Sequence, residues 1–76
     1  MNLATCLALT ARGLTFRECE VLEYIGMGKT DREVSLILGI HRRTAENHVT
    51  HILRKLGVEN RLSAARCAWE ATLTPR

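Results

Sequence analysis

The side chains with most chemistry to offer are concentrated between residues 41 and 55: His41-Arg42-Arg43-Thr44-Ala45-Glu46-Asn47-His48-Val49-Thr50-His51-Ile52-Leu53-Arg54-Lys55. On a helix, residues three, four and seven apart share a side, so Arg43, Glu46, Asn47 and Thr50 form one outward face with His51 and Arg54 beside it. That face carries a carboxylate, an amide, a hydroxyl and guanidinium groups, which is equipment for hydrogen-bonded recognition. No Ser or Cys stands with a His and an acid at positions usable for hydrolysis, so no catalytic residue and no enzyme activity are expected. His48 and His51 lie at i, i+3, with His41 one to two turns earlier. Of these, His48 belongs to the inward stripe and His51 does not, and no carboxylate or Cys pair completes a site, so no metal is expected. His48 is read as a core histidine with one ring nitrogen bonded to a backbone carbonyl. Cys6, Cys19 and Cys67 are odd in number and widely spaced, with no C-x-x-C. They read as reduced thiols packed as small apolar residues, which suits the cytoplasm. No cofactor is implied.

The elements that must position these residues are helices. Thr15-Phe16-Arg17-Glu18 fits a capping box. Val21, Leu22 and Ile25 follow at helical spacing, and Gly26 and Gly28 close a helix over 16–27. Thr30-Asp31-Arg32-Glu33 repeats the capping box, with Asp31 and Glu33 complementing the dipole. Val34, Ile37 and Leu38 give that helix, 31–38, its expected buried face, and Gly39 stops it. After a short connection a helix over 42–56 follows, its inward stripe being Ala45, His48, Val49, Ile52 and Leu56. Gly57 ends it and Val58 can tuck back. Asn60 caps a helix over 61–72, and Pro75 lies beyond. Strand signals are absent. The expected fold is all-α, a four-helix bundle-like domain.

A chain of 76 residues has room for one domain. Its core is small, which disfavours an elaborate catalytic cleft. The formal charge of +3 and a pI near 9.1 hint at a polyanionic partner. Residues 1–13 read as an N-terminal arm or a short helix leading into the domain, 14–73 as the domain, and 74–76 as a tail. The mildly apolar stretch from Leu3 to Leu9 has no preceding Lys or Arg and is diluted by polar residues, so a secretory signal is not expected. No run is long enough to span a membrane.

The segment from Arg32 to Ile52 resembles a helix-turn-helix, with Ser35 and Gly39 at the small-residue and turn positions and Val34, Leu38, Ile40, Ala45 and His48 at inward ones. The flanks narrow this resemblance. Leu14-Thr15, Arg17-Glu18, Glu20-Val21-Leu22, Gly28-Lys29-Thr30, Glu33-Val34, Thr44, Asn47-His48, Ile52-Leu53-Arg54-Lys55-Leu56-Gly57-Val58 and Asn60-Arg61 are similar to the LuxR/GerE-type DNA-binding domain. The likeness covers about Leu14 to Trp69. It implies a transcription regulator that binds double-stranded DNA in a sequence-specific manner, with helix 42–56 in the major groove and helix 61–72 in homodimer contacts.

By position, the resemblance implies that Glu46, Asn47 and Thr50 face base edges. Asn suits adenine N6 and N7, Glu can accept from cytosine N4, and Thr can bond or touch a thymine methyl. It implies phosphate contacts from Lys29, Thr30, Arg42, Arg43, Thr44, His51, Arg54 and Lys55, and a dimer interface at Leu62, Ala65, Arg66 and Trp69. No residue is assigned to RNA polymerase. Two residues depart from the family pattern. Glu46 replaces a commoner basic residue: either it repels phosphates and sharpens sequence choice, or it orients Arg43 or Arg42 by a local ion pair. His41 stands where Ser or Thr usually caps, and imidazole caps less well.

Charge distribution supports this orientation separately. Residues 15–40 carry Arg17, Lys29 and Arg32 against Glu18, Glu20, Glu23, Asp31 and Glu33, a net of −2. Residues 41–76 have seven Arg and Lys against Glu46, Glu59 and Glu70, a net of +4. The bases bracket helix 42–56, where they can reach phosphates on both sides of a groove. Helix 61–72 has two apolar faces, Ala64, Ala68 and Ala71 on one and Leu62, Ala65, Trp69 and Leu73 on another. A helix buried on both sides needs a second surface, here a second copy, unless the alanines are merely good helix formers. The alternative to a DNA-binding regulator is a small helical protein–protein interaction module, with DNA binding weak or lost.

Overall fold

A computed structural model describes residues 3–73, with side chains described for 7–70. The expected tail at 74–76 with Pro75, and the side chains of Cys6, Ala71 and Leu73, lie outside the described residues. The chain forms α1 (Leu3–Thr10), α2 (Phe16–Gly26), α3 (Asp31–Leu38), α4 (Arg42–Leu56) and α5 (Arg61–Leu73), and no strand among the described residues.

The local sequence explains where each helix starts. Thr15 Oγ1 accepts the Glu18 N–H at 3.1 Å and the Glu18 carboxylate accepts the Thr15 N–H at 2.9 Å. Thr30 and Glu33 repeat the exchange at 3.1 and 2.8 Å. Each box satisfies amides that a helix start leaves without intrahelical partners. Asn60 Oδ1 accepts the Ser63 N–H at 2.9 Å and opens α5. His41 occupies the cap position of α4 with no side-chain hydrogen bond, as its imidazole led us to expect. Gly39 turns the chain between α3 and α4 in the left-handed region, φ 68°, a conformation that costs glycine little.

Ahead of residue 14, α1 takes the form of a short helix, one of the two forms expected there. Leu9 at its end is 1% exposed and joins the core. α1 packs on α2 and α5, α2 on α4 and α5, and α3 chiefly on α4. Leu22, Ile52, Val21 and Val34 are fully buried at the centre. Each large aliphatic side chain there contributes about 1.5–3 kcal/mol relative to exposure. Small residues set the closest approach, as Ala64, Ala65 and Ala68 of α5 are all buried against the body. A Cβ at Gly26 would stand 3.3 Å from Ala68 Cβ, so α2 and α5 meet through glycine and alanine.

Two details of the expected pattern change. Ile37 is 48% exposed rather than part of the buried face of α3. The buried stripe is Val34 and Ser35 with half-buried Leu38, and Ile37 lies roughly 100° round the helix from its middle. Ser35 fits this tight contact because its hydroxyl donates to Arg32 O at 2.6 Å. Ala65, expected on the partner face of α5, belongs to the chain's own core.

Candidate nucleic-acid interface

α4 is held on its inner side by Ala45, Val49, Ile52 and Leu56. Its opposite side carries exposed Arg43, Asn47 and Thr50, with exposed Arg42, His51 and Arg54 alongside and half-buried Thr44 and Glu46. The three candidate base-reading residues thus share one helix face with the arginines at its two ends. The Thr50 hydroxyl donates to Glu46 O at 3.1 Å. As placed, it offers an outside group its lone pairs and its methyl rather than its proton. Asn47 is exposed on this face, with both an acceptor and a donor in its amide. His48 is half-buried on the inner flank of the helix.

Glu46 forms an ion pair with Arg42, Oε2 to Nε at 3.2 Å. Solvent reaches both side chains, 68% and 43% exposed, so the pair contributes little to stability, about 0.3–0.5 kcal/mol. Its effect is on charge: one of the arginines bracketing α4 has a carboxylate beside it. Of the two local pairings expected for Glu46, the structure contains that with Arg42.

Lys55 is placed differently from a simple phosphate contact. Its Nζ lies 2.8 Å from Glu18 Oε1, and the Glu18 side chain is only 4% exposed. His51 Nδ1 stands 3.9 Å from the other oxygen of the same carboxylate. Burial pushes the Glu18 carboxyl up, but hydrogen bonds from Lys55 and the Thr15 N–H, together with the Lys55 charge, hold it below its ordinary value. Lys55 therefore ties α4 to α2. Arg12 adds a weaker tie, donating to Leu56 O at 3.4 Å, where a cation also suits the helix C-terminus.

The Thr30 hydroxyl and N–H are both engaged in the capping box before α3. The Glu33 carboxyl is held below its ordinary value, chiefly by the Thr30 N–H, against a small opposing effect of burial. The sequence reading missed Arg61. One of its guanidinium nitrogens lies 2.6 Å from Asp31 Oδ1 and the other donates to Lys29 O at 2.7 Å. A pair of acceptors at the α2–α3 turn and an arginine at the start of the next capped helix were visible in sequence, but only folding brings positions 31 and 61 together.

Of the four candidate dimer residues, Leu62, Ala65 and Trp69 line one apolar groove of ≈ 470 Å³ together with Ile25, Gly26, Gly28 and Arg61. Leu62 and Trp69 are 66% and 51% exposed. The Trp69 indole N–H donates to Gly26 O at 2.7 Å. Arg66 instead borders a separate shallow hollow with Ser63, Cys67 and Glu70. Among the described residues no cluster of His, Cys, Asp and Glu could hold a metal ion, and no helix is long and apolar enough to cross a membrane.

A two-helix unit joined at a left-handed glycine, with the second helix supported from behind and polar in front, defines a helix-turn-helix domain. Residues 8–68 match the family described as bacterial regulatory proteins, luxR family, and the chain belongs to it. It is 45% identical over 60 residues to the transcriptional activator protein YukR of Yersinia ruckeri, covering 79% of this chain and 26% of that protein. It is 45% identical over 58 residues to the transcriptional regulatory protein LiaR of Bacillus subtilis, covering 76% and 28%. It is 47% identical over 51 residues to the quorum sensing-dependent transcriptional regulator RpaR of Rhodopseudomonas palustris, covering 67% and 21%. The chain spans about a quarter of the length of these relatives.

Proposed function

We propose that this domain binds double-stranded DNA in a sequence-specific manner as part of a cytoplasmic transcriptional regulator, and acts by binding rather than catalysis. The observation that carries the reading is the front of α4: Asn47 and Thr50 exposed, Glu46 beside them, and Arg42, Arg43 and Arg54 exposed at its two ends. A major groove admits one helix, and cations at the helix ends then meet the phosphates of both strands. Family membership and relatives named as transcriptional activators and regulators support the same reading.

In this proposal Glu46, Asn47 and Thr50 meet base edges. Arg42, Arg43, Thr44, His51 and Arg54 meet phosphates, with Lys29 and Thr30 approaching from the α3 side. Lys55 is reassigned to holding α4 on α2. Two copies associate through Leu62 and Trp69 over the groove, with Ala65 as its floor, and read two half-sites.

Selection of bound duplexes from a random pool at two salt concentrations tests the reading. A recovered motif with two half-sites, bound more weakly at the higher salt, supports it. The groove also fits the alternative of a protein-interaction module, and recovery of no sequence from the pool would favour that alternative.

A further inference from the structure

We propose that Arg61 is a positioning residue that couples the apolar groove to the DNA-reading pair α3–α4, an inference that rests on the DNA-binding reading above. The outer face of α5 sends three polar contacts onto the stretch from the last residue of α2 to the first of α3. The Trp69 indole N–H donates to Gly26 O at 2.7 Å, Arg61 donates to Lys29 O at 2.7 Å, and Arg61 pairs with Asp31 at 2.6 Å. Side-chain packing does little to fix this turn. Gly28 at its middle has φ +85°, and a Cβ placed there would meet nothing within 4 Å. Backbone hydrogen bonds close the turn locally, Gly28 N–H to Ile25 O and Lys29 N–H to Tyr24 O, both at 3.0 Å, and the contacts from α5 tie it to the rest of the fold.

The same residues line the groove: Gly26, Gly28, Arg61, Leu62 and Trp69. In the dimer proposed above, the occupant is a second copy of this chain. Leu62 and Trp69 project from the rim of an apolar hollow, so in a two-fold arrangement the ridge of each copy fills the hollow of the other. Covering the groove removes water from hydrogen bonds that are now partly exposed, and such bonds strengthen when water is excluded. The turn is then held more firmly, and with it α3, which packs against α4. Association and DNA binding favour each other by the same factor, since linkage is reciprocal.

The test uses a duplex with one half-site from the selection and protein concentrations below self-association. Trp69 is the sole tryptophan and reports on the turn. Adding duplex to the native chain should change its emission although α5 does not touch DNA. Arg61→Gln should weaken half-site binding on the order of fivefold or more, reduce the emission change, and leave the salt dependence unaltered because Arg61 meets no phosphate. Arg61→Lys keeps the charge, but one ammonium does not span both acceptors, so it should fall between. If Arg61→Gln does not fold, Arg61→Lys decides on the same criteria. Native affinity in a folded variant, or a loss accompanied by a shallower salt dependence, overturns the coupling. A native chain that binds no duplex overturns the DNA-binding reading itself.

Discussion

Lys55 Nζ lies 2.8 Å from Oε1 of Glu18, a carboxylate whose side chain is 4% exposed. The contact joins the capping box of α2 to the last turn of α4, so one glutamate starts a helix and anchors another. Removing the lysine leaves a buried acceptor short of its cation. Lys55→Ala should therefore lower unfolding free energy by roughly 1–3 kcal/mol, read from urea denaturation. Exposed Arg54, its neighbour, should behave oppositely. Arg54→Ala should change stability by less than about 0.5 kcal/mol while lowering affinity for all duplexes alike and flattening the salt slope by about 0.9.

The same pair gives the fold an acid limit. The Glu18 carboxyl is held below its ordinary value in the folded chain, so its contribution is complete above the unfolded-state value near ~4.3. It is lost as the pH falls through the lower folded value. Urea midpoints of the native chain and Glu18→Gln should differ at neutral pH and converge in acid. A difference that stays constant down to the lowest pH would contradict this role of Glu18.

His41 leaves the start of α4 without a side-chain cap. His41→Ser should add one and stabilise the domain by roughly 0.5–1 kcal/mol. Thermal melting should show a Tm raised by a few degrees, whereas an unchanged or lower Tm would mean that the imidazole makes a compensating contact.

Glu46 pairs with Arg42 at 3.2 Å on the exposed front of α4. Glu46→Gln removes the negative charge and frees Arg42 for the phosphate contact proposed above. Affinity for random duplex should rise, and the salt slope should steepen by about 0.9. If only the base preference changed, Glu46 would be a reader and not a restraint on Arg42.

Much of this was legible locally. Both capping boxes, the glycine stops and the stripe of α4, apart from half-buried His48, are patterns within one helix, and each fixes its own element. What escaped the sequence was tertiary. Ile37 turns outward because Ser35, already at the small-residue position of the helix-turn-helix resemblance, takes the tight contact between α3 and α4. Ala65 turns inward because three buried alanines let α5 lie close to α2. Lys55 is expected at a phosphate and Arg61 has no expected contact, since only folding brings Glu18 and Asp31 to them, 37 and 30 positions away. Charge pattern alone therefore does not reveal which cation beside α4 is already paired within the fold.

Salt dependence of DNA affinity tests the central claim most directly. With exposed arginines at both ends of α4 meeting phosphates, log affinity should fall linearly with log salt. The loss should be on the order of tenfold or more between ~50 and ~200 mM, and Arg54→Ala should flatten the line. Binding that ignores salt, or no binding at the lower concentration, would contradict it.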